Sequence, residues 1–229
     1  CLNGLDAGSI ILLHACCHNP TGADLSDAQW AEVVAVCQKR GLVPFLDMAY
    51  QGFADGIDAD AVAVRAFSAS GLQFFASSSF SKNFSLYGER VGALSIVTAA
   101  KEESGRVMSQ LKRVIRTNYS NPPTHGGTLV AGVLASPELR QMWETELAGM
   151  RDRIRAMRTG LVDAIKAQGV AQDFSFVAHQ RGMFSYTGLT VAQGDRMRDE
   201  FGIYAVSTGR ICLAALNTKN LDYVAKAIA

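Results

Sequence analysis

The feature that most narrows the fold is an alternation of short β-rich runs with helix-patterned stretches over the first two-thirds of the chain. Ser9-Ile10-Ile11-Leu12-Leu13 reads as a buried strand. Ser26-Asp27-Ala28-Gln29 is a capping box, in which the Ser26 hydroxyl and the Gln29 amide satisfy the first free backbone donors of a helix. Behind it Trp30, Val33, Val34 and Cys37 recur at helical spacing, and Gly41 suits the helix end. Val43 to Met48 is the next strand, with Pro44 tolerated near its start. Asp60 to Ser70 reads as helix, and Gln73 to Ser79 and Arg90 to Thr98 as strands. Strands separated by helices make βαβ units, so the expected class is α/β, with a mostly parallel sheet covered on both faces.

From Pro137 the pattern changes. Trp143, Leu147, Met150, Ile154, Met157, Leu161 and Ile165 step by four and three along one face, which predicts a single long helix ending near Gly169. Short strands follow around Met183 to Tyr186 and Ile211 to Ala214, with helices over Val191 to Phe201 and Leu221 to Ile228. The expected organisation is a larger α/β unit over residues 1–140. The long connecting helix and a smaller α+β C-terminal domain then occupy 141–229.

Charge and cysteine usage exclude several function classes. The 22 basic and 21 acidic residues leave a formal charge of +1, so neither a polyanion nor a membrane surface is favoured as a partner. Apolar runs such as Ile10 to Leu13 are too short to span a bilayer. The N-terminus lacks the basic, apolar, small-residue order of an export signal. Five cysteines without CxxC spacing argue against a disulfide framework, and the default compartment is a reducing cytoplasm. Cys1 opens the chain inside what reads as a structured segment, so a piece of a longer protein is expected.

Five segments carry chemistry. Ser79, Lys82 and Arg90 follow a strand's C-terminal end, where open parallel sheets build their sites. A lysine among hydroxyls and aromatics suits Schiff-base formation, and Ser79 and Arg90 can bind a phosphate. Alone, the segment also fits a solvated loop lysine. His18-Asn19-Pro20-Thr21-Gly22 is a tight turn with or without function. Asp47 ends an otherwise apolar strand, where a bare carboxylate is costly to bury. A protonated pyridine nitrogen would resolve that cost, and so would a simple turn cap. Arg116, ahead of a turn-rich loop, and Arg210, after Ser207-Thr208-Gly209, suit carboxylate recognition or ordinary surface ion pairs. His14-x-Cys16-Cys17-His18 invites a zinc reading. Adjacent cysteines point oppositely on a strand and no second ligand pair exists, so no metal is expected.

Taken together, the runs CCHNPTGADL, FLDMAYQGF, FSKNFSLYGERVG, RTNYSNPPTHG, QRGMFSYTGL and STGRICLA resemble the aspartate and aromatic amino-acid aminotransferases, which are fold-type I pyridoxal-phosphate enzymes. The resemblance extends over essentially the whole chain and is strongest to the bacterial aromatic (tyrosine) branch. It implies pyridoxal 5'-phosphate as cofactor, with Lys82 as the Schiff-base lysine and proton carrier. It implies that Asp47 pairs with the pyridine nitrogen, that Tyr50 and Asn19 bind the phenolic oxygen, and that Ser79 and Arg90 hold the phosphate. Asn19–Pro20 would be cis. Arg210 would grip the substrate α-carboxylate, with Asn19 and Phe184 beside the substrate, while His14 supports from behind.

By the same resemblance, Arg116 would reach across a homodimer interface to bind the side-chain carboxylate of an acidic substrate. The reaction implied is transamination between an aromatic or acidic amino acid and a 2-oxo acid, the 2-oxoglutarate/glutamate pair among them. Another chemistry of this fold, such as a β-lyase or decarboxylase, and a fragment inactive in isolation are the alternatives. Family members are longer at the N-terminus, where they supply more of the sheet, a glycine-containing phosphate loop and an aromatic that stacks on the cofactor ring.

Overall fold

A computed structural model describes residues 1–229. The chain runs β1 (Ile10–His14), α1 (Asp27–Arg40), β2 (Val43–Met48), α2 (Val62–Ala69), β3 (Phe74–Ser79), β4 (Gly92–Val97), α3 (Lys101–Asn118) and α4 (His125–Ala135). It continues with α5 (Pro137–Ala167), α6 (Ser175–His179), β5 (Phe184–Tyr186), α7 (Val191–Phe201), β6 (Arg210–Cys212) and α8 (Leu221–Ile228). Helix α1 starts where its capping box requires: Gln29 N donates to Ser26 Oγ at 3.3 Å, and Ser26 N to Gln29 Oε1 at 2.9 Å. It stops at Gly41, whose φ of 64° is the left-handed conformation that favours glycine.

The sheet has the order β1-β2-β3-β4, with the first three strands parallel and β4 antiparallel to β3. Alternation along the strands divides its residues between two faces. Ile11, Leu46, Phe74 and Ala76 turn toward α1 and α2 and form a core with Trp30, Val34 and Phe67. The register puts Ile10 and Leu12 on the opposite face with Phe45 and Phe75. Helices α1 and α2 cover the first face. Ile10 and Leu12 are 67% and 64% exposed, and Leu94 on β4 is 50% exposed. The expectation of a sheet covered on both faces is therefore met in part: on the second face Phe45, Phe75 and Ile96 are half-buried, with α3 beside Phe75 and Ile96, while Ile10, Leu12 and Leu94 stay exposed.

The long helix is a single element, as its periodicity requires. Ser136 caps its start by accepting from Leu139 N at 3.3 Å, and Pro137 occupies the first turn, where its missing N–H costs nothing. Leu147, Ile154, Leu161 and Ile165 bury into a second core with Phe174, Val177, Leu213 and Ala225. That core also takes in Cys17, Tyr50 and Phe53 from the loops at the sheet's C-terminal edge. The β5–β6 ladder is antiparallel, pairing Phe184 with Cys212 and Tyr186 with Arg210. Helices α3, α4 and α6 lie outside the sequence expectations, and α3 buries none of its residues. No helix is long and apolar enough to cross a membrane.

Candidate active site

Strand register builds the first part of the site. His14, Asp47 and Ser77 are partners in one row across β1, β2 and β3, on the face that α1 and α2 leave open. Ser77 Oγ donates to Asp47 Oδ1 at 3.3 Å. His14 Nδ1 accepts from Asn19 N at 3.2 Å, so the ring proton resides on Nε2, which faces Asp47 Oδ2 at 3.9 Å. The carboxylate is thus oriented from both neighbouring strands while its own side chain keeps 31% exposure.

Tyr50, in the turn that ends β2, is 5% exposed. Burial raises its pKa, while the Asn19 hydrogen bond and the Arg210 charge pull in the opposite direction. Its hydroxyl is therefore a protonated donor at neutral pH. Asn19 Nδ2 lies 3.4 Å from Tyr50 Oη, and the Asn19–Pro20 peptide is cis, as expected. Lys82 Nζ sits 4.6 Å from the centre of the Tyr50 ring and forms no ion pair. Its neighbours Ser81 and Asn83 are buried. Asn83 Nδ2 donates to Gln51 O at 3.2 Å, and Trp143 Nε1 on α5 donates to Asn83 O at 2.7 Å. The turn bearing the lysine is pinned from two sides, and its amine is left available.

The second part comes from the C-terminal segment. Arg210 Nη1 donates to Asn19 Oδ1 at 2.7 Å, and its guanidinium lies 4.5 Å from the centre of the Phe184 ring. Phe184 meets Tyr50 edge-on at 6.1 Å. Asn19, Asp47, Tyr50, Lys82, Phe184 and Arg210 thus form one connected neighbourhood. Ser79 is partly buried at the end of β3 and accepts from Ser81 N at 3.2 Å. Arg90 is exposed, has φ 52°, and donates to Tyr87 O at 3.0 Å. Arg116 is exposed in the last turn of α3 and bonds Ser120 Oγ. No hydrogen bond or ion pair connects either arginine to the neighbourhood.

Sequence reasoning missed two supports of the site, Ser77 and the Trp143–Asn83 bond. It also passed over Arg158, a buried charged residue on the apolar stripe of α5 between Ile154 and Leu161. Cys16, Cys17 and Asp60 place ligand-type atoms within 4.8 Å of one another. Both Asp60 oxygens are already occupied, one by Gly52 N and Ala54 N and the other by Asp55 N and Gly56 N. Asp60 is committed to holding the loop after Tyr50.

A parallel sheet with a free lysine at its C-terminal edge, a strand-end carboxylate and an arginine–asparagine pair defines the fold-type I pyridoxal-phosphate class. Comparison with known proteins agrees. The family model for aminotransferase class I and II matches residues 2–228, and the chain belongs to that family. It is 66% identical to an aspartate aminotransferase of Pseudomonas aeruginosa over 99% of its length. Against an aromatic-amino-acid aminotransferase of Escherichia coli it is 52% identical over 100% of its length. It superposes with a TM-score of 0.98 and 72% identity on the aromatic-amino-acid aminotransferase of Burkholderia pseudomallei covalently bound to pyridoxal phosphate, over 99% of this chain. In all three cases the chain spans 57% of the length of the protein it matches.

Proposed function

We infer that these residues carry the cofactor anchor and the α-carboxylate site of a pyridoxal-phosphate-dependent aminotransferase acting on aromatic or acidic amino acids. The observation that carries this reading is the connected set Lys82–Tyr50–Asn19–Arg210, in which a free amine and a carboxylate-binding fork are held on opposite sides of one phenol. The donor set fits the cofactor. Lys82 would anchor it, Asp47 would pair with its ring nitrogen, Tyr50 and Asn19 would bind its phenolic oxygen, and Ser79 and Arg90 would hold its phosphate. When bound, it supplies an electron sink for the carbanion formed at the substrate Cα.

Arg210 orients the α-carboxylate, with Phe184 beneath its guanidinium and Asn19 fixing the fork. Lys82 moves the proton at Cα, a task that requires a base within hydrogen-bond reach of that atom. Asp47 would keep the ring nitrogen protonated, with His14 and Ser77 directing its oxygens. Arg116 receives the side-chain carboxylate of an acidic substrate from the other subunit of a homodimer, which accounts for its place outside the neighbourhood. Residues 1–140 form part of the large cofactor domain, and 141–229 the connecting helix and small domain. The two separate sheets support that division, with the second core joining the two units. Cytoplasmic residence belongs to the same proposal, supported by five free cysteines.

The partly bare sheet face favours a second statement: residues 1–229 alone form an incomplete site and do not turn over. Borohydride reduction of the chain and of the full-length protein with pyridoxal phosphate, followed by peptide mapping, tests both. Label on Lys82 of the full-length protein, with transamination lost in Lys82→Ala, supports the reading. Turnover at the normal rate by Lys82→Ala overturns it. Turnover by the 229-residue chain overturns the second statement alone.

A further inference from the structure

Arg158 is the most deeply buried arginine of the chain, at 2% exposure, and its partners include no carboxylate. Burial pushes its pKa down to about 10, so it remains charged at neutral pH. A buried charge without a counter-ion is costly unless its donors are satisfied in full. Here they converge on one stretch of chain. Nη1 donates to Val177 O at 3.0 Å and to Ser185 Oγ, and Nη2 donates to Gly182 O at 2.8 Å and Phe184 O at 3.1 Å.

That stretch joins the two halves of the substrate-binding neighbourhood. On one side it is β5, paired with β6, and it sets Phe184 under Arg210. On the other it lies against the turn that presents Asn19. Arg181 N donates to Gly22 O at 2.6 Å, and a Cβ on Gly22 would come within 2.6 Å of Phe184 O. Phe184 packs against the second core and, together with Arg210, borders an apolar cavity of about 320 Å³ lined also by Met197, Ile203 and Tyr223, so non-directional contacts surround it on several sides. The planar fork of Arg158 adds the directional bonds that such packing lacks, and it sets the register of the backbone carrying Phe184.

We propose that Arg158 is a positioning residue for substrate carboxylate binding, acting through the backbone of Gly182–Ser185 to hold Phe184 beneath Arg210. The inference rests on the assignment of Arg210 to the α-carboxylate. A lysine keeps the charge but cannot bridge three carbonyls and a hydroxyl with one rigid plane. Ser185, which is fully buried, offers a milder perturbation of the same fork.

The test uses the full-length protein loaded with cofactor and titrated calorimetrically with 3-phenylpropionate, which presents a carboxylate and cannot react. Arg158→Lys should weaken its Kd about tenfold and Ser185→Ala about threefold, with cofactor content unchanged. Calorimetric stoichiometry separates affinity from folded fraction. If Arg158→Lys does not fold, Ser185→Ala decides. A lowered Tm with Kd within a factor of 1.5 of wild type in the folded variants would make Arg158 purely structural and overturn the proposal. Arg210→Lys provides the control: wild-type affinity in that variant overturns the carboxylate assignment itself, and this inference with it.

Discussion

Arg210 Nη1 and Asn19 Oδ1 are 2.7 Å apart although 191 residues separate them in the chain. This bond closes the neighbourhood between the sheet edge and the small C-terminal segment. Asn19 receives Arg210 on its oxygen and addresses Tyr50 with its amide nitrogen, and its backbone N–H reaches His14. One residue thereby relates the carboxylate site to the row that orients Asp47.

Asp47 is expected to matter through its charge and Ser77 through its aim. Asp47→Ala should reduce kcat of the full-length protein by about 10²–10³-fold, the range for losing one preorganised electrostatic partner. Ser77→Ala should cost about tenfold, the equivalent of one neutral hydrogen bond. Steady-state kinetics of both variants provides the check, and equal losses would remove Ser77 from a merely orienting role.

Arg116→Leu should impair aspartate far more than phenylalanine. A charge-assisted contact is lost only with the diacid, and about 10–100-fold in kcat/KM is the expected difference. Comparable losses for the two substrates would take Arg116 out of the side-chain pocket.

Gly182 faces Cys17 so closely that an added Cβ would meet Cys17 Cβ at 2.5 Å, and its φ is 78°. Overpacking and left-handed strain act together, so Gly182→Ala should lose about 2–4 kcal/mol of stability. Urea unfolding of the variant measures this directly. An unchanged midpoint would show that the Cys17 turn yields without cost.

His18 should make stability fall on acidification. Burial and then the neighbouring His14 charge hold its pKa below the usual histidine value of 6.5, with Asp24 opposing. Between that ordinary value and the lower folded one, the unfolded chain binds a proton that the folded chain does not. Stability is then lost as pH falls through this window and levels off below it. Urea midpoints at neutral pH and about pH 5.5, compared with those of His18→Gln, should differ less in the variant. Identical pH slopes would assign the effect elsewhere.

Helix α1 announced itself through the Ser26–Gln29 box, and α5 and α7, anticipated in the sequence as well, start at Ser136 and Thr190 caps. Helices α2 and α8 were anticipated too, although neither has a side-chain cap bond. Helices α3 and α4 begin after Ala100 and Thr124 without a side-chain cap bond, and α4 contains three glycines. Helix α3 lacks a start signal, but its apolar stripe at Val107, Leu111, Val114 and Ile115 was legible and was passed over. The antiparallel direction of β4 was equally illegible, because an edge strand reads alike in either direction.

The sequence by itself determined the class and the family resemblance, and it singled out Lys82, Asp47, Tyr50 and Arg210 as candidates, because those side chains stand in short segments of distinctive composition. Only the tertiary structure decided how they meet. The row His14–Asp47–Ser77 depends on strand register, the closure of Arg210 on Asn19 depends on a contact across nearly the whole chain, and the part played by Arg158 depends on four acceptors gathered by one loop. Local sequence encodes backbone preference and chemical type, whereas these contacts arise when burial brings distant segments together.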